Sequence, residues 1–216
     1  MAKTKIAIQL NEEQKKAKSL ILDHPYSFVT GHAGSGKTIL ACQIGFDKLK
    51  NKKDVDKIII TRPSVSTEEN GFLPGTFQEK MEPWLIPIKS NFYKLHRTKR
   101  VIEKLYEGGD EEHKDVQMVS LTHFRGRTFE NAVCIVDEFQ NLTKNQLAMA
   151  LGRLGKNSIM IFTGDPDQID LQIHNNSAAK LLPALKESKS VNIVHLKENH
   201  RHKAVKEVLD LIKKHL

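Results

Sequence analysis

Six short, mostly apolar runs alternate along the chain with longer amphipathic stretches. The runs are Tyr26–Thr30, Lys57–Thr61, Val116–Leu121, Val133–Val136, Ile159–Thr163 and Val191–His195. Because they are nearly continuous in apolar residues, they are typical of strands that are buried on both faces. The pattern therefore predicts an α/β fold with a mainly parallel sheet flanked by helices.

The amphipathic stretches between these runs predict the helices. They are Asn11–Asp23, Lys37–Lys50, Lys144–Leu154, Ser177–Glu187 and Lys203–His215. Thr143 and Asn176 precede two of them and are residue types that cap helix N-termini. Residues 63–115, with four prolines, are too long for a simple crossover and predict a helical insertion at the carboxyl edge of the sheet, where ligands gather in open α/β folds.

Size and cysteine usage narrow the class of protein. A chain of 216 residues that is 39% hydrophobic buries one sizeable core, so we expect one domain over residues 1–216. Cys42 and Cys134 lie in apolar runs, which indicates buried reduced thiols. The N-terminus lacks an apolar signal core, and no run approaches the roughly 18 residues of a membrane span, so we expect a cytoplasmic protein with no membrane contact.

The charge balance favours a polyanionic partner. The net charge is +8, and the excess of Lys and Arg is clustered in residues 48–57, 94–100 and 203–214. Nucleic acid is the usual partner of such a surface. Solvated helix faces are the alternative explanation for each cluster.

The segment Gly31–Thr38, with the sequence GHAGSGKT, lies between an apolar run and a predicted helix. Its glycines let successive N–H groups point at phosphate oxygens, and the next helix adds its positive N-terminal dipole. The spacing predicts a nucleoside triphosphate site in which Lys37 reaches the β- and γ-phosphates and Thr38 ligates Mg²⁺. The predicted binding residues of this loop are Gly31, Ala33, Gly34, Ser35, Gly36, Lys37 and Thr38.

Two further polar groups follow apolar strands. Asp137 and Glu138 end one strand, where Asp137 would meet Mg²⁺ and Glu138 would orient or deprotonate an attacking water. Gln168 follows another strand, and its amide suits a sensor of the γ-phosphate. An exposed Gln in a Gly-Asp-Pro turn is the alternative. Gln140 is a second candidate for linking nucleotide state to a partner strand.

Together these strings resemble motifs I, II and III of superfamily 1 helicases on a RecA-like core. Three more strings, Thr61-Arg62-Pro63, the run 71–80 and Phe124–Thr128, resemble the PhoH family of cytoplasmic ATPases. The resemblance extends from about residue 10 to the C-terminus. Phe139 departs from the resemblance, because a small residue is common at that position of motif II. We also expect no nuclease domain before the first strand.

The resemblance implies a single RecA-like P-loop NTPase domain that hydrolyses ATP with Mg²⁺, with Lys37, Glu138 and Gln168 in the roles above. It places Gln14 where such ATPases read adenine, although a solvated helix Gln is the alternative. It makes Arg62 similar to a residue that meets single-stranded nucleic acid, although capping of a neighbouring carboxylate is equally open.

The resemblance also implies an oligomer, with a hexameric ring favoured. Superfamily 1 translocases place ATP between two RecA-like modules, and this chain has room for one. A catalytic arginine would then come from a neighbouring subunit. Arg201 is the first candidate, and Arg125 and Arg127 are the next.

Three functions follow from these residues. The first is an ATPase coupled to RNA or single-stranded DNA, with helicase-like remodelling. The others are a nucleotide-gated oligomeric scaffold and a phosphate-loop kinase that acts on a small molecule. We expect no zinc site, because the ligand spacings of His123, His195, His200 and His202 match none that is typical of zinc.

Overall fold

The computed structural model describes residues 9–51, 55–63, 86, 88, 90–95, 115–169, 176–200, 204, 205, 207, 208 and 211. Within this part of the chain, six strands form one sheet in the order β3-β2-β4-β5-β1-β6. The strands are β1 (Tyr26–Thr30), β2 (Lys57–Thr61), β3 (Val116–Met118), β4 (Ala132–Asp137), β5 (Ile159–Gly164) and β6 (Val191–His195). Every pairing is parallel, which confirms the predicted fold class.

The helices flank this sheet. They are α1 (Glu12–Leu22), α2 (Lys37–Asn51), α3 (Lys144–Leu151) and α4 (Leu182–Leu185), with 3₁₀ turns at Leu121–Phe124, Phe139–Asn141 and Ala178–Leu181. Asn11 and Thr143 cap α1 and α3, each in a capping box with the Gln three residues later. Since these reciprocal bonds satisfy N–H groups at the helix start, they fix where α1 and α3 begin.

The core has one hydrophobic cluster on each face of the sheet. One cluster includes Leu40, Ile44, Ile60 and Ile135. The other contains the aromatic group of Phe28, Phe139 and Phe162, in which the rings of Phe28 and Phe162 stack with centroids 4.5 Å apart. All six residues of β4 are buried, which explains why the sequence of this strand is apolar without alternation.

Two predicted elements are shorter in the structure. The strand predicted over Val116–Leu121 ends at Met118, because Ser120 begins a turn in which its hydroxyl bonds the side chains of Thr122 and His123. The helix predicted to end at Leu154 stops at Leu151, with Gly152 as its C-cap. Glycine has low helix propensity, so its position ends the helix.

The prediction of a single helix over Ser177–Glu187 is wrong. The structure has a 3₁₀ turn followed by the short helix α4, whose second residue is Pro183. Proline has no N–H to donate, so an α-helix cannot run through this position unbroken. Ser177, rather than Asn176, caps the turn, since its hydroxyl accepts from the N–H of Ala179 at 3.1 Å.

Much of the predicted insertion over residues 63–115 lies outside the described residues. Residues 86, 88 and 90–95 are helical, and Ile88, Phe92 and Leu95 are buried in the cluster of α2 and the sheet. Within the predicted helix Lys203–His215, residues 204, 205, 207, 208 and 211 are helical.

The strand order determines where the polar strand ends meet. Strands β4, β5 and β1 are neighbours in the sheet and run in parallel, so their carboxyl ends lie at one edge. Asp137 is in register with Thr163, and Thr30 with Gly164. The three segments that the sequence singled out therefore converge there.

Candidate active site

The loop between β1 and α2 has the backbone of a phosphate cradle. Gly31, Gly34 and Gly36 have φ angles of 141°, 91° and 85°, in a region that residues with a Cβ rarely adopt. A Cβ at Gly36 would lie 2.6 Å from Nε2 of Gln14, and one at Gly31 would overlap the carbonyl oxygen of Leu196. The glycines are required both by the curl of the loop and by what packs against it.

Lys37 and Ser35 are the polar side chains of this loop. The Lys37 ammonium donates to the carbonyl oxygens of Gly31 at 2.5 Å and His32 at 3.0 Å. It therefore lies over the loop that it is predicted to serve. The hydroxyl of Ser35 is buried and has no hydrogen-bond partner among the described residues. An unpaired buried hydroxyl in a cradle of N–H groups fits an anionic ligand that accepts its hydrogen bond.

Asp137 sits at the centre of the site, only 3% exposed. Its Oδ1 accepts hydrogen bonds from Thr38 Oγ1 at 2.8 Å and from Thr163 Oγ1 at 2.6 Å. The pair predicted to hold Mg²⁺, Thr38 and Asp137, is thus in direct contact. Two oxygen ligands from different elements match the preference of Mg²⁺ for carboxylate and hydroxyl oxygens.

Thr163 is a residue of the site that the sequence did not single out. A signal was present: aligning the apolar runs of β4 and β5 as parallel neighbours places Thr163 opposite Asp137. Its hydroxyl holds the buried carboxylate in one orientation toward Thr38.

Glu138 lies at the mouth of the site, with about a third of its side chain exposed. Its backbone is left-handed, with φ 55° and ψ 46°, which turns the chain sharply after β4. One carboxylate oxygen accepts from Nε2 of Gln140 at 2.7 Å. The other lies 3.7 Å from the guanidinium of Arg62, which is also 3.8 Å from Asp137. In this structure Arg62 lies against neighbouring carboxylates, one of the two roles that its sequence left open.

The loop after β5 folds over the same edge. Asp165 organises it: one carboxylate oxygen accepts from the N–H of Asp167 and the other from Nε2 of Gln168 at 2.9 Å. Gln168 is therefore bonded within its own loop. His32 lies 3.7 Å from Asp165, and ligand atoms of His32, Asp165 and Asp167 lie within 4.8 Å of one another. Because both carboxylate oxygens of Asp165 already accept hydrogen bonds within the loop, we interpret Asp165 as a residue that holds the turn and not as a metal ligand.

Gln14 joins helix α1 to the phosphate loop. It is 5% exposed, its Oε1 accepts from the N–H of Asn11 and its Nε2 donates to the carbonyl of Ser35 at 3.4 Å. Its amide contacts the loop beside Gly36. The residue predicted to read adenine thus borders the predicted nucleotide site, with both ends of its amide engaged in this structure.

The segment after β6 passes along the other side of the loop. The N–H of His200 donates to the carbonyl of Gly34 at 3.0 Å, and Glu13 of α1 accepts from the N–H groups of Lys197 and Glu198. Burial pushes the pKa of Glu13 up, but these two hydrogen bonds, together with the nearby charges of His195 and Lys197, leave the pKa below its usual value. The segment that leads to the predicted Arg201 is therefore tied to the phosphate loop.

The three candidate arginines are not part of this site in the described chain. Arg201 lies outside the described residues. The guanidinium of Arg127 stacks on the ring of Phe129, 5.3 Å from its centroid, before β4 begins, whereas Asp137 ends β4. Arg125 is exposed nearby in the chain. Arg127 therefore lies toward the opposite end of β4 from Asp137 and Glu138.

Comparison with known proteins adds family evidence. A family model described as PhoH-like protein matches residues 7–213. A PhoH-like protein of Synechocystis is 35% identical over 201 residues, covering 91% of this chain and 59% of that protein. Protein PhoH of Escherichia coli is 41% identical over 162 residues, covering 74% of this chain and 44% of that protein. The chain thus spans about half the length of these relatives.

Solved structures confirm the fold. The large terminase of a thermophilic bacteriophage superimposes with a TM-score of 0.58 at 13% identity, covering 94% of this chain and 50% of that one. The SWI2/SNF2 ATPase core of Sulfolobus solfataricus gives a TM-score of 0.50 at 15% identity, covering 94% and 47%. These likenesses show a RecA-like P-loop fold. In the described part of the chain, helices of the length and apolarity needed to cross a membrane are absent.

Proposed function

The chain belongs to the PhoH-like protein family, and we propose that this P-loop NTPase hydrolyses ATP with Mg²⁺ and couples the reaction to RNA or single-stranded DNA. The observation that carries the proposal is the contact between Thr38 and Asp137 at the start of α2 and the end of β4. It joins a phosphate loop to two acidic residues, of which one is buried and the other faces the site mouth.

The residues divide the reaction between them. The loop N–H groups and the Lys37 ammonium bind the phosphates, while Thr38 and Asp137 hold Mg²⁺. When bound, Mg²⁺ supplies positive charge that offsets the charge on the phosphate oxygens. Glu138 accepts a proton from water as the water oxygen bonds to the γ-phosphorus and the bond to the bridging oxygen breaks. The products are ADP and phosphate.

Two glutamines complete the proposed site. Gln168 senses the γ-phosphate by exchanging its bond to Asp165 for one to a phosphate oxygen. Gln14 reads adenine by exchanging its bonds to Asn11 and Ser35 for donor and acceptor contacts to the base. Both proposals therefore predict that nucleotide alters hydrogen bonds that this structure contains.

Phosphate release and nucleotide affinity test the catalytic assignment together. We expect Lys37→Ala to lose ATP binding, because no other side chain of the loop carries a positive charge toward the phosphates. We expect Glu138→Gln to bind ATP within about twofold of wild type and to lose about 10²-fold or more in kcat, the contribution typical of a general base. Lys156→Ala and Glu130→Gln, both exposed, are the matched controls.

Each assignment has an outcome that contradicts it. Full turnover by either variant would remove that residue from the mechanism. Loss of ATP affinity in Glu138→Gln would make it a binding group instead. Binding without phosphate release in wild type would favour the nucleotide-gated scaffold, and transfer of phosphate to a small molecule would favour the kinase.

Nucleic-acid coupling rests on the charge of the chain, and salt tests it. Lys48 and Lys50 lie in the last turn of α2, and Lys94 is exposed on the helical part of the insertion. If these clusters meet a phosphate backbone, affinity for single-stranded RNA falls steeply and log-linearly with salt, because bound cations are released. We expect binding that tolerates changes of sequence. A flat salt dependence measured by anisotropy would contradict the coupling.

We also propose that the active particle is an oligomer, with a hexameric ring favoured. In the described residues, Arg62 is the arginine that lies within 4 Å of the acidic pair, and it contacts the carboxylates rather than the phosphate loop. A second arginine, from a neighbouring subunit, would supply the charge at the γ-phosphate. Arg201 remains the first candidate for this arginine, with Arg125 and Arg127 next.

A further inference from the structure

Gln140 is a junction between the proposed base and the loop after β5. It follows Glu138 by two residues in the 3₁₀ turn and is only 2% exposed. Its Nε2 donates to Glu138 at 2.7 Å and to the carbonyl of Gln168 at 3.3 Å, while its Oε1 accepts from the N–H of Asp165 at 3.2 Å. One buried amide thus touches the acid and both ends of the 165–168 loop.

The chemistry of the partners fixes which way this amide points. The N–H of Asp165 only donates, and the carbonyl of Gln168 only accepts. The oxygen of the amide must therefore face Asp165, and its nitrogen must face Glu138 and Gln168.

Neighbouring residues hold both the main chain and the side chain of Gln140. Its backbone carbonyl accepts from the buried hydroxyl of Ser177 at 2.6 Å. A Cβ at Gly164 would overlap Oε1 of Gln140 and would lie 2.7 Å from the ring of Phe139. The main chain of Gln140 is therefore held by Ser177, and its side chain is enclosed by Gly164 and Phe139. A shift of the 165–168 loop consequently moves the amide with it.

We propose that Gln140 is a positioning residue for hydrolysis: it sets the orientation of the Glu138 carboxylate and transmits movement of the 165–168 loop to it. The proposal rests on the role of Glu138 as the base in the proposed function. Gln140 donates to one carboxylate oxygen, and the Arg62 guanidinium lies 3.7 Å from the other, so the carboxylate is held between a hydrogen-bond donor and a positive charge. When Gln168 changes its partner, the carbonyl bonded to Gln140 moves, and Glu138 is reoriented with it.

Gln140→Glu tests this role without a change of size. The new carboxylate still accepts from the N–H of Asp165 but meets Glu138 with a second negative charge in place of a donor. We expect kcat near pH 8 to fall by about 10- to 100-fold, the cost of about 1 Å of misplacement, with the KM for ATP within about twofold. Gln146→Glu in the capping box of α3 is the matched control, because Glu serves that box as well as Gln.

The split between kcat and KM separates positioning from simple damage. A residue that acts only through Glu138 alters the chemical step and leaves ATP binding intact, so kcat falls while the KM for ATP stays within about twofold. An unchanged kcat, or a loss of kcat with equally weakened ATP binding, would overturn the proposal.

Glu138→Gln distinguishes the inference from the function on which it rests. If Gln140 acts through Glu138, then Gln140→Met reduces kcat in wild type but has no further effect in a Glu138→Gln background. An additional loss in that background would overturn the positioning role. Normal turnover by Glu138→Gln would overturn the proposed function instead, whatever Gln140 does.

Discussion

At two glycines with positive φ, backbone conformation and neighbouring atoms contribute separately to the cost of adding a side chain. Gly31 has φ 141° and Gly126 has φ 79°. A Cβ at Gly31 would overlap the carbonyl oxygen of Leu196, whereas one at Gly126 would meet nothing within 4 Å. Backbone strain therefore acts at both positions, and the close approach of another chain segment acts only at Gly31.

We expect Gly126→Ala to lower the free energy of unfolding by about 1–2 kcal/mol, the cost of left-handed backbone for a residue with a Cβ. Gly31→Ala should cost more than about 3 kcal/mol, because strain adds to displacement of the segment after β6. Urea unfolding measures both. Equal losses would show that the contact with Leu196 gives way freely and does not hold the loop.

Among the elements of the fold, strand β4 and helix α2 each contain one buried cysteine. Burial raises the pKa of Cys134 to about 12, and burial raises the pKa of Cys42 well above its usual value. Both cysteines are free and buried, which confirms that part of the sequence interpretation. Because the thiolate is the nucleophile, neither thiol reacts near neutral pH while its element is packed.

We expect iodoacetamide at pH 8 to label Cys134 only as fast as the sheet opens. The rate should then rise with denaturant in step with unfolding, and in the unfolded chain the thiol regains an ordinary pKa and reacts readily. Mass spectrometry of peptides with Cys42 and Cys134 measures the rates separately. Fast labelling of Cys134 in native buffer would contradict the packing of β4 between its two clusters.

At the scale of the whole molecule, the proposed trans arginine predicts complementation. Glu138→Gln lacks the base and Arg201→Ala lacks the proposed finger, so each alone should retain only a small residual activity. In a mixed oligomer, some neighbours combine an intact Glu138 with an intact Arg201, and partial activity should return. Phosphate release measured against mixing ratio, with particle size from light scattering, tests this.

Two results would redirect the search. If sizing shows mixed particles that stay inactive at every ratio, Arg201 is not the finger, and Arg125→Ala and Arg127→Ala enter the same assay. If wild-type specific activity does not depend on protein concentration and the particle is a monomer, the trans mechanism is wrong. Arg62 would then be the arginine to test in cis, because it lies against the acidic pair.

Much of the fold was available from local sequence. The bounds of β1, β2 and β6 match their apolar runs, and Thr143 marks the start of α3. The departures occur where a single residue outweighs a pattern: Pro183 interrupts the helix predicted over Ser177–Glu187, and Gly152 ends α3 early. The spacing of apolar residues indicates which face of a helix or strand is buried. It carries no information about a backbone N–H that is missing, as at Pro183.

The groups whose chemistry depends on neighbours in the chain are readable from the sequence alone. The phosphate loop of Gly31–Thr38 is a continuous segment, so its glycines, lysine and threonine are readable without the fold. The contacts between distant segments, in contrast, emerge only from the fold. Thr38 meets Asp137 across 99 positions of sequence, Thr163 meets Asp137 through strand register, and Gln140 meets the 165–168 loop because β4 and β5 end side by side. Such contacts depend on the order of strands in the sheet, which long-range packing sets and local pattern does not encode.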